Sequence, residues 1–348
     1  MHVIKSDPSL SKAGTYREIS VQLAGLFSGE RNGLANAANM CALLYHMLLS
    51  AGNFAIYRAE SEALHLLEPR FGDLSVERNK KRLMQAWLKT RLFAATGLDA
   101  APLQERVMTE CRNGGDFLRI VMEETARRQG VGRWAECTPD HLLYLPRIKQ
   151  TIPEALVIHI IRDGRDVALS MERQNYPRQL PWDMKSRRMA AGLYWEWMVR
   201  KGRKHGRELG TDYIEVHYED LVSRPQYVLD RLSPFIGQAL DYEQIQRVGI
   251  GSVSQPNTSF KAEAADDGFS PVGRWKKHFA PGELAMFEEL LGEALPELGY
   301  TLETKPDTRR ASLRMLRAQY RAFFDSKLYL KTKTPVGRLL VTRDLSRL

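Results

Sequence analysis

Ala155-Leu-Val-Ile-His-Ile-Ile-Arg-Asp-Gly-Arg-Asp-Val-Ala-Leu-Ser170 reads as one strand running straight into one helix. Ala155 to Ile161 is apolar on both faces, as a central parallel strand covered by helices on each side must be. Arg162 and Arg165 then follow at its carboxyl end, Gly164 lets the chain turn, and Ser170 falls on the second turn of the helix. Such a junction can hold an anion: a forked guanidinium from Arg162, a hydroxyl from Ser170, and the N–H groups and positive dipole of the helix start. Asp163 and Asp166 would orient the arginines or cap the helix. The same residues also read as a salt-bridged strand–helix turn with no ligand.

Around that stretch, strands alternate with helices, which argues for a three-layer α/β/α domain with a mostly parallel central sheet. In such sheets ligands bind beyond the carboxyl ends of the strands, so loops directly after strands are the places to search. Further strands are expected at Ile19 to Phe27, Phe54 to Tyr57, Trp134 to Cys137 and Tyr213 to Val216. Helices are expected over Leu34 to Ser50, Val76 to Ala95, Phe117 to Arg128, Pro139 to Gln150, Asp183 to Leu209, Gln226 to Ile236 and Glu283 to Leu298, from apolar residues at helical spacing.

The chain has 348 residues, 43% hydrophobic and 27% charged, enough to bury a sizeable core. Its net charge of +9 is not spread evenly. Residues 301–348 hold 12 Lys and Arg against 4 Asp and Glu, leaving +1 for everything before them. The division that follows is a domain over 1–300 and a basic, largely helical extension over 301–348. That extension could touch a polyanion or a membrane surface weakly, or be a solvated helical face. No nucleic acid is expected as a partner of the body. The first twenty residues lack the apolar run of a signal peptide, and no stretch approaches a membrane span. Cys41, Cys111 and Cys137 are widely spaced and odd in number, fitting a reducing compartment better than a disulfide framework. A cytoplasmic protein with no metal is the expectation.

Five segments in order carry a resemblance to PAPS-dependent sulfotransferases, of bacterial type with some likeness to the tyrosine-sulfating branch. They are Thr138-Pro-Asp-His-Leu-Leu-Tyr-Leu-Pro146, the Arg162 to Ser170 segment, Tyr218-Glu-Asp-Leu-Val222 with Phe235-Ile-Gly237, Gly273-Arg-Trp-Lys-Lys-His278, and Leu298-Gly-Tyr300. The resemblance implies a P-loop-like sulfotransferase fold and transfer of a sulfuryl group from PAPS to a hydroxyl or amine. The acceptor would be a small molecule, glycan or peptide. By the same resemblance Arg162 and Ser170 hold the donor's 3′-phosphate, and Arg274 and Trp275 flank the nucleotide. Tyr218 either stacks on adenine or belongs to the core. Glu60 falls where the tyrosine-sulfating branch places its general base, though it also reads as a surface carboxylate beside Arg58. Asn257 to Lys261 precedes a loop, Ala262 to Ser270, and is a further segment able to reach donor or acceptor.

The resemblance breaks where the family wraps the 5′-phosphosulfate. Asn39, Met40, Cys41 and Ala42 occupy that loop by position, yet the family's Arg has become Ala38, its Gly Met40, and its Thr pair Cys41-Ala42. Cys137 stands where the family usually has Lys. A site built on electrostatic stabilisation loses on the order of 10²-fold or more with each such group. The alternative is therefore a catalytically impaired homologue that binds nucleotide, or a sulfated or glycan ligand, without turnover. A P-loop kinase is disfavoured because no Gly-x-x-x-x-Gly-Lys segment exists.

Overall fold

The computed structural model describes residues 48, 54–56, 61, 63–174, 176–177, 179–180, 182–183, 187–243, 272–305 and 311–334. The expected strand Ile19 to Phe27, nearly all of the helix Leu34 to Ser50, and the segment Asn257 to Ser270 lie outside them.

Among the described residues the chain is a helix-rich α/β protein. Its four strands are short: β1 Phe54–Ile56, β2 Arg133–Ala135, β3 Val157–Ile161 and β4 Tyr213–His217. They pair as two two-stranded sheets, β1 with β2 and β3 with β4. β1 and β2 run parallel, with Ala55 opposite Trp134. Strand positions therefore follow the apolar runs, while the pairing found is two small sheets.

Beyond a single turn at Glu68–Phe71, the helices among the described residues are α1 Glu77–Trp87, α2 Arg91–Thr96, α3 Ala100–Glu110, α4 Gly114–Gln129, α5 Leu145–Thr151, α6 Gly164–Arg173, α7 Arg187–Glu208, α8 Tyr218–Ser223, α9 Pro225–Ile236, α10 Trp275–His278, α11 Pro281–Leu291 and α12 Ala311–Lys333. The single helix expected over Val76 to Ala95 is broken because Thr90 adopts an extended backbone and caps α2, accepting from the Phe93 N–H at 3.2 Å. The helix expected from Pro139 is a 3₁₀ turn, Pro139–Leu143, that restarts as α5 at Leu145 with Pro146 in its first turn. Cys111 is a buried free thiol pushed up to about 12 by that burial. Cys137 is disulfide-bonded, so the cysteines are not three unpaired thiols, as their spacing led one to expect.

Contacts divide the chain into two compact units. The first holds residues 160–192 and 216–287, and the second 52–159, 193–215 and 288–348. The first unit buries Ile161, Leu169, Val216, Leu229, Leu232 and Phe287. Within it Arg188 lies over the Phe279 ring at 4.5 Å while bonding Glu172 at 2.8 Å and Glu283 at 2.7 Å. The second unit packs Trp87 edge-on against Phe117, with centroids 5.1 Å apart. It also buries Tyr320 and Phe324 of α12, and the Trp197 indole N–H donates to Asp325 at 3.0 Å.

Candidate functional site

In the first unit, β3 ends at Ile161 and the next five residues are all buried despite four of them being charged. Burial of charge demands partners, and the partners are local. Asp163 sits at the N-cap of α6, accepting the Arg165 N–H at 2.9 Å, and grips the Arg165 guanidinium through Nε at 3.0 Å and Nη2 at 2.8 Å. Asp163 thus both caps the helix and orients an arginine. Its own N–H donates to Glu219 at 2.9 Å, joining the exit of β3 to α8.

Asp166 has no exposed surface, and its two oxygens accept the N–H groups of Gly273 at 2.8 Å and Trp275 at 2.9 Å. One carboxylate therefore fixes the segment that carries Arg274. Gly273 has φ +73°, a left-handed conformation that suits glycine. Burial raises Asp166 above the ordinary carboxylate range, opposed by the Arg162 charge and those two N–H bonds. Arg162 lies 4.0 Å from Asp166, with its guanidinium 4.8 Å from the centre of the Tyr218 ring. Burial also raises the Tyr218 hydroxyl, against the pull of Arg162 and Arg274.

Ser170 stands one helical turn after Asp166, on the same face of α6. Its hydroxyl is fully buried and has no hydrogen-bond partner among the described residues. A hydroxyl stranded in this way costs about 1–3 kcal/mol. Arg274 and Trp275 are buried as well, at 6% and 4% exposure, and the Trp275 ring is covered by Arg165 at 3.8 Å and approached by Lys276 at 5.3 Å. The chemistry of these residues suits a phosphate: Arg162 and Arg274 are buried cations, the Ser170 hydroxyl is a donor with no partner among the described residues, and the Asp166 carboxylate is already engaged by backbone. Arg162, Ser170, Tyr218, Arg274 and Trp275 all fall in this unit. Glu60, Asn39, Met40, Cys41 and Ala42 lie outside the described residues.

The second unit holds a cluster that the sequence did not single out. Glu136 directly follows β2, and its carboxylate meets the backbone of Ser61. Glu136 is almost fully buried and collects donors: the Ser61 N–H at 2.9 Å, the Thr138 N–H at 3.0 Å, the Thr138 hydroxyl, and His141 Nδ1 at 2.9 Å. Burial would raise its carboxyl, yet the His141 charge and these bonds hold it down at about 2. Alongside, His65 Nδ1 lies 3.5 Å from Asp140 and 3.3 Å from the Tyr144 hydroxyl. Burial lowers His65 to about 4; Asp140 opposes the shift, and Lys331 and Lys327 add to it. The sequence signal was slight: a Glu five residues before a His, across a Thr-Pro that opens a 3₁₀ turn. His159 is buried in β3 and bonded to Tyr213 at 2.6 Å.

No group of three His, Cys, Asp or Glu with metal-binding geometry occurs among the described residues, and none of their helices is long and apolar enough to cross a membrane. Residues 42–242, more than half of the chain, match the model of a sulfotransferase family. That span includes Arg162, Ser170, Tyr218, Glu136 and His141, and begins after Ala38, Met40 and Cys41. A search of curated proteins returns no match.

Proposed function

The chain belongs to the sulfotransferase family, and from that premise we propose that it moves a sulfuryl group from PAPS to a hydroxyl or amine acceptor on a small molecule, glycan or peptide. The observation carrying the donor assignment is the Ser170 hydroxyl on the helix that follows β3, buried and without a partner among the described residues. In this reading Ser170 and Arg162 hold the 3′-phosphate, with Asp166 fixing the loop that brings Arg274 and Trp275 to the nucleotide. The guanidinium supplies charge, and the hydroxyl a directed bond, to an anion taken out of water. Tyr218 supports Arg162 from below by a cation–π contact. The three-layer arrangement around a mostly parallel sheet belongs to the same proposal, supported by the parallel pairing of β1 and β2.

Calorimetry with adenosine 3′,5′-bisphosphate (PAP) tests the assignment, with ADP as the control that lacks the 3′-phosphate. Wild type should bind PAP well above ADP. Arg162→Ala should weaken PAP by about 10–100-fold, the usual worth of a bond to a charged group, and Ser170→Ala by less. Equal affinity for ADP and PAP, or no binding by folded wild type, would sink it.

A second reading has one observation behind it. Cys137, where the resemblance expects Lys, is disulfide-bonded and supplies no charge. A member that retains nucleotide but turns over slowly would bind PAP normally and transfer sulfate only after the missing cation is restored.

A further inference from the structure

We propose that the outward face of α12 docks on the surface of an anionic phospholipid bilayer, its apolar stripe at the interface and its cations on the headgroups. This docking is independent of the donor assignment and needs neither PAPS nor an acceptor.

α12 has two faces. Leu313, Leu316, Tyr320 and Phe324 recur at helical spacing and are buried in the second unit. The opposite side carries Met315 at 62% exposure, Phe323 at 37%, Tyr329 at 61% and Leu330 at 39%. Exposed apolar side chains scattered singly need no explanation, but these four are half of the large ones exposed among the described residues. Met315, Ala322 and Tyr329 stand seven residues apart and so line one stripe. Arg314 and Arg321, also seven apart and exposed, run along one flank of it; exposed Lys327 stands on the other flank, and Lys333 closes the row. Asp325 is the one acidic residue of α12. It is turned inward, accepting the Trp197 indole N–H at 3.0 Å and pairing with Lys201 at 2.8 Å. Arg317 is likewise engaged by the buried Glu196. The charges left facing outward on this helix are all positive.

An apolar and aromatic stripe bordered by Arg and Lys is the pattern of a helix that lies in the membrane interface. The flanking cations reach headgroup phosphates while their stems cover apolar surface, and a tyrosine suits the boundary because its ring is apolar and its hydroxyl wet. α12 lies on the bilayer rather than crossing it, since it is not apolar enough to span. Met315 and Tyr329 are about 20 Å apart along the axis, which suits a flat surface better than a small anion. A nucleic acid would place its phosphates on the cations and leave the central stripe in water. A second copy would cover the stripe but bring two sets of outward cations together, at a cost in like-charge repulsion. Residues 335–348 continue the same composition, with three arginines to one aspartate and the apolar run Leu339-Leu340-Val341.

Flotation of the full chain with vesicles tests the contact. Phosphatidylcholine vesicles containing phosphatidylglycerol should carry the protein, phosphatidylcholine alone should carry far less, and added salt should release it. Arg314→Gln, Arg321→Gln and Lys327→Gln should each weaken binding by about fivefold, the usual worth of one cation at an anionic surface. Tyr329→Ser combined with Leu330→Ser should weaken it by about tenfold or more. These side chains are exposed, so thermal melts of the variants should match wild type. Tyr329→Trp gives a second readout: its added fluorescence should shift to the blue on vesicles and be quenched by brominated acyl chains. Folded wild type that stays off the phosphatidylglycerol vesicles overturns the proposal. So does full binding by the Tyr329→Ser, Leu330→Ser protein, which would mark a charged patch for any polyanion, or a Tyr329→Trp emission that vesicles leave unchanged. Dimerisation without lipid that the same serine pair abolishes would overturn it in favour of a second copy.

Discussion

Asp166 shows how much one residue can decide. From α6 it accepts the N–H groups of both Gly273 and Trp275, so its removal loosens the segment that carries Arg274. Asp166→Asn keeps one accepting oxygen and turns an amide against the second N–H. We expect a loss of about 1–3 kcal/mol in urea unfolding, the penalty for stranding a buried donor, together with weaker PAP binding. Ser170 behaves in the opposite way. Its hydroxyl has no partner among the described residues, so Ser170→Ala should leave stability unchanged or slightly raised while lowering PAP affinity. A serine kept for structure would show the reverse pattern, and denaturant melts beside calorimetry separate the two.

Elements carry a different kind of prediction. α7 runs past β4 with Gly206 facing Tyr213, and a Cβ at Gly206 would stand 2.3 Å from that ring. The ring is tethered by its hydroxyl, which is bonded to His159 at 2.6 Å and Glu215 at 2.9 Å, and cannot swing aside. Gly206→Ala should therefore destabilise by about 1–3 kcal/mol through overpacking, despite the roughly 1 kcal/mol that alanine gains in a helix interior. A thermal melt that rises instead would show that the strands give way. The turn Ala63–Leu67 sets a pH dependence. His65 has a folded value near 4 against an ordinary 6.5, so the unfolded chain binds its proton first on acidification. Stability from this group is complete above pH 6.5 and declines as pH falls towards 4. His65→Gln should flatten the melting temperature across that window, and an unchanged slope would rule His65 out as its source.

On the scale of the whole molecule, the basic C-terminal segment is more than charge. α12 contributes Leu313, Leu316, Tyr320 and Phe324 to the core of the second unit. Its Arg317 Nε bonds the buried Glu196 at 2.9 Å, and Asp325 holds Lys201 at 2.8 Å. Truncation after Gly299 would expose Trp197, which packs on Phe324 with centroids 5.4 Å apart. The truncated chain should lose several kcal/mol through those four buried side chains alone, measured as a large drop in the urea midpoint. An unaltered midpoint would mean that the segment is a detachable tail.

Local features explain what could be read in advance. Apolar runs located β1 through β4 within a few residues, although β2 and β4 are only half-buried and carry Arg133, Glu215 and His217. The helix break at Thr90 and the restart at Pro146 were written as a capping residue and a proline, but periodicity masked both. Arg162, Ser170 and the Tyr218 and Trp275 segments were legible because the turn after a strand concentrates charge in a short, ordered motif. Asp166 bonding to a segment 107 residues away was not, nor was Glu136 meeting Ser61 across 75 residues. Sequence alone determined the alternation of elements and the family to which the chain belongs, since both are written in the order of residues along the chain. Which carboxylate holds which backbone, and that His141 meets a buried anion, only the tertiary structure decided. Those facts arise from desolvation and contact between residues that lie far apart in the sequence.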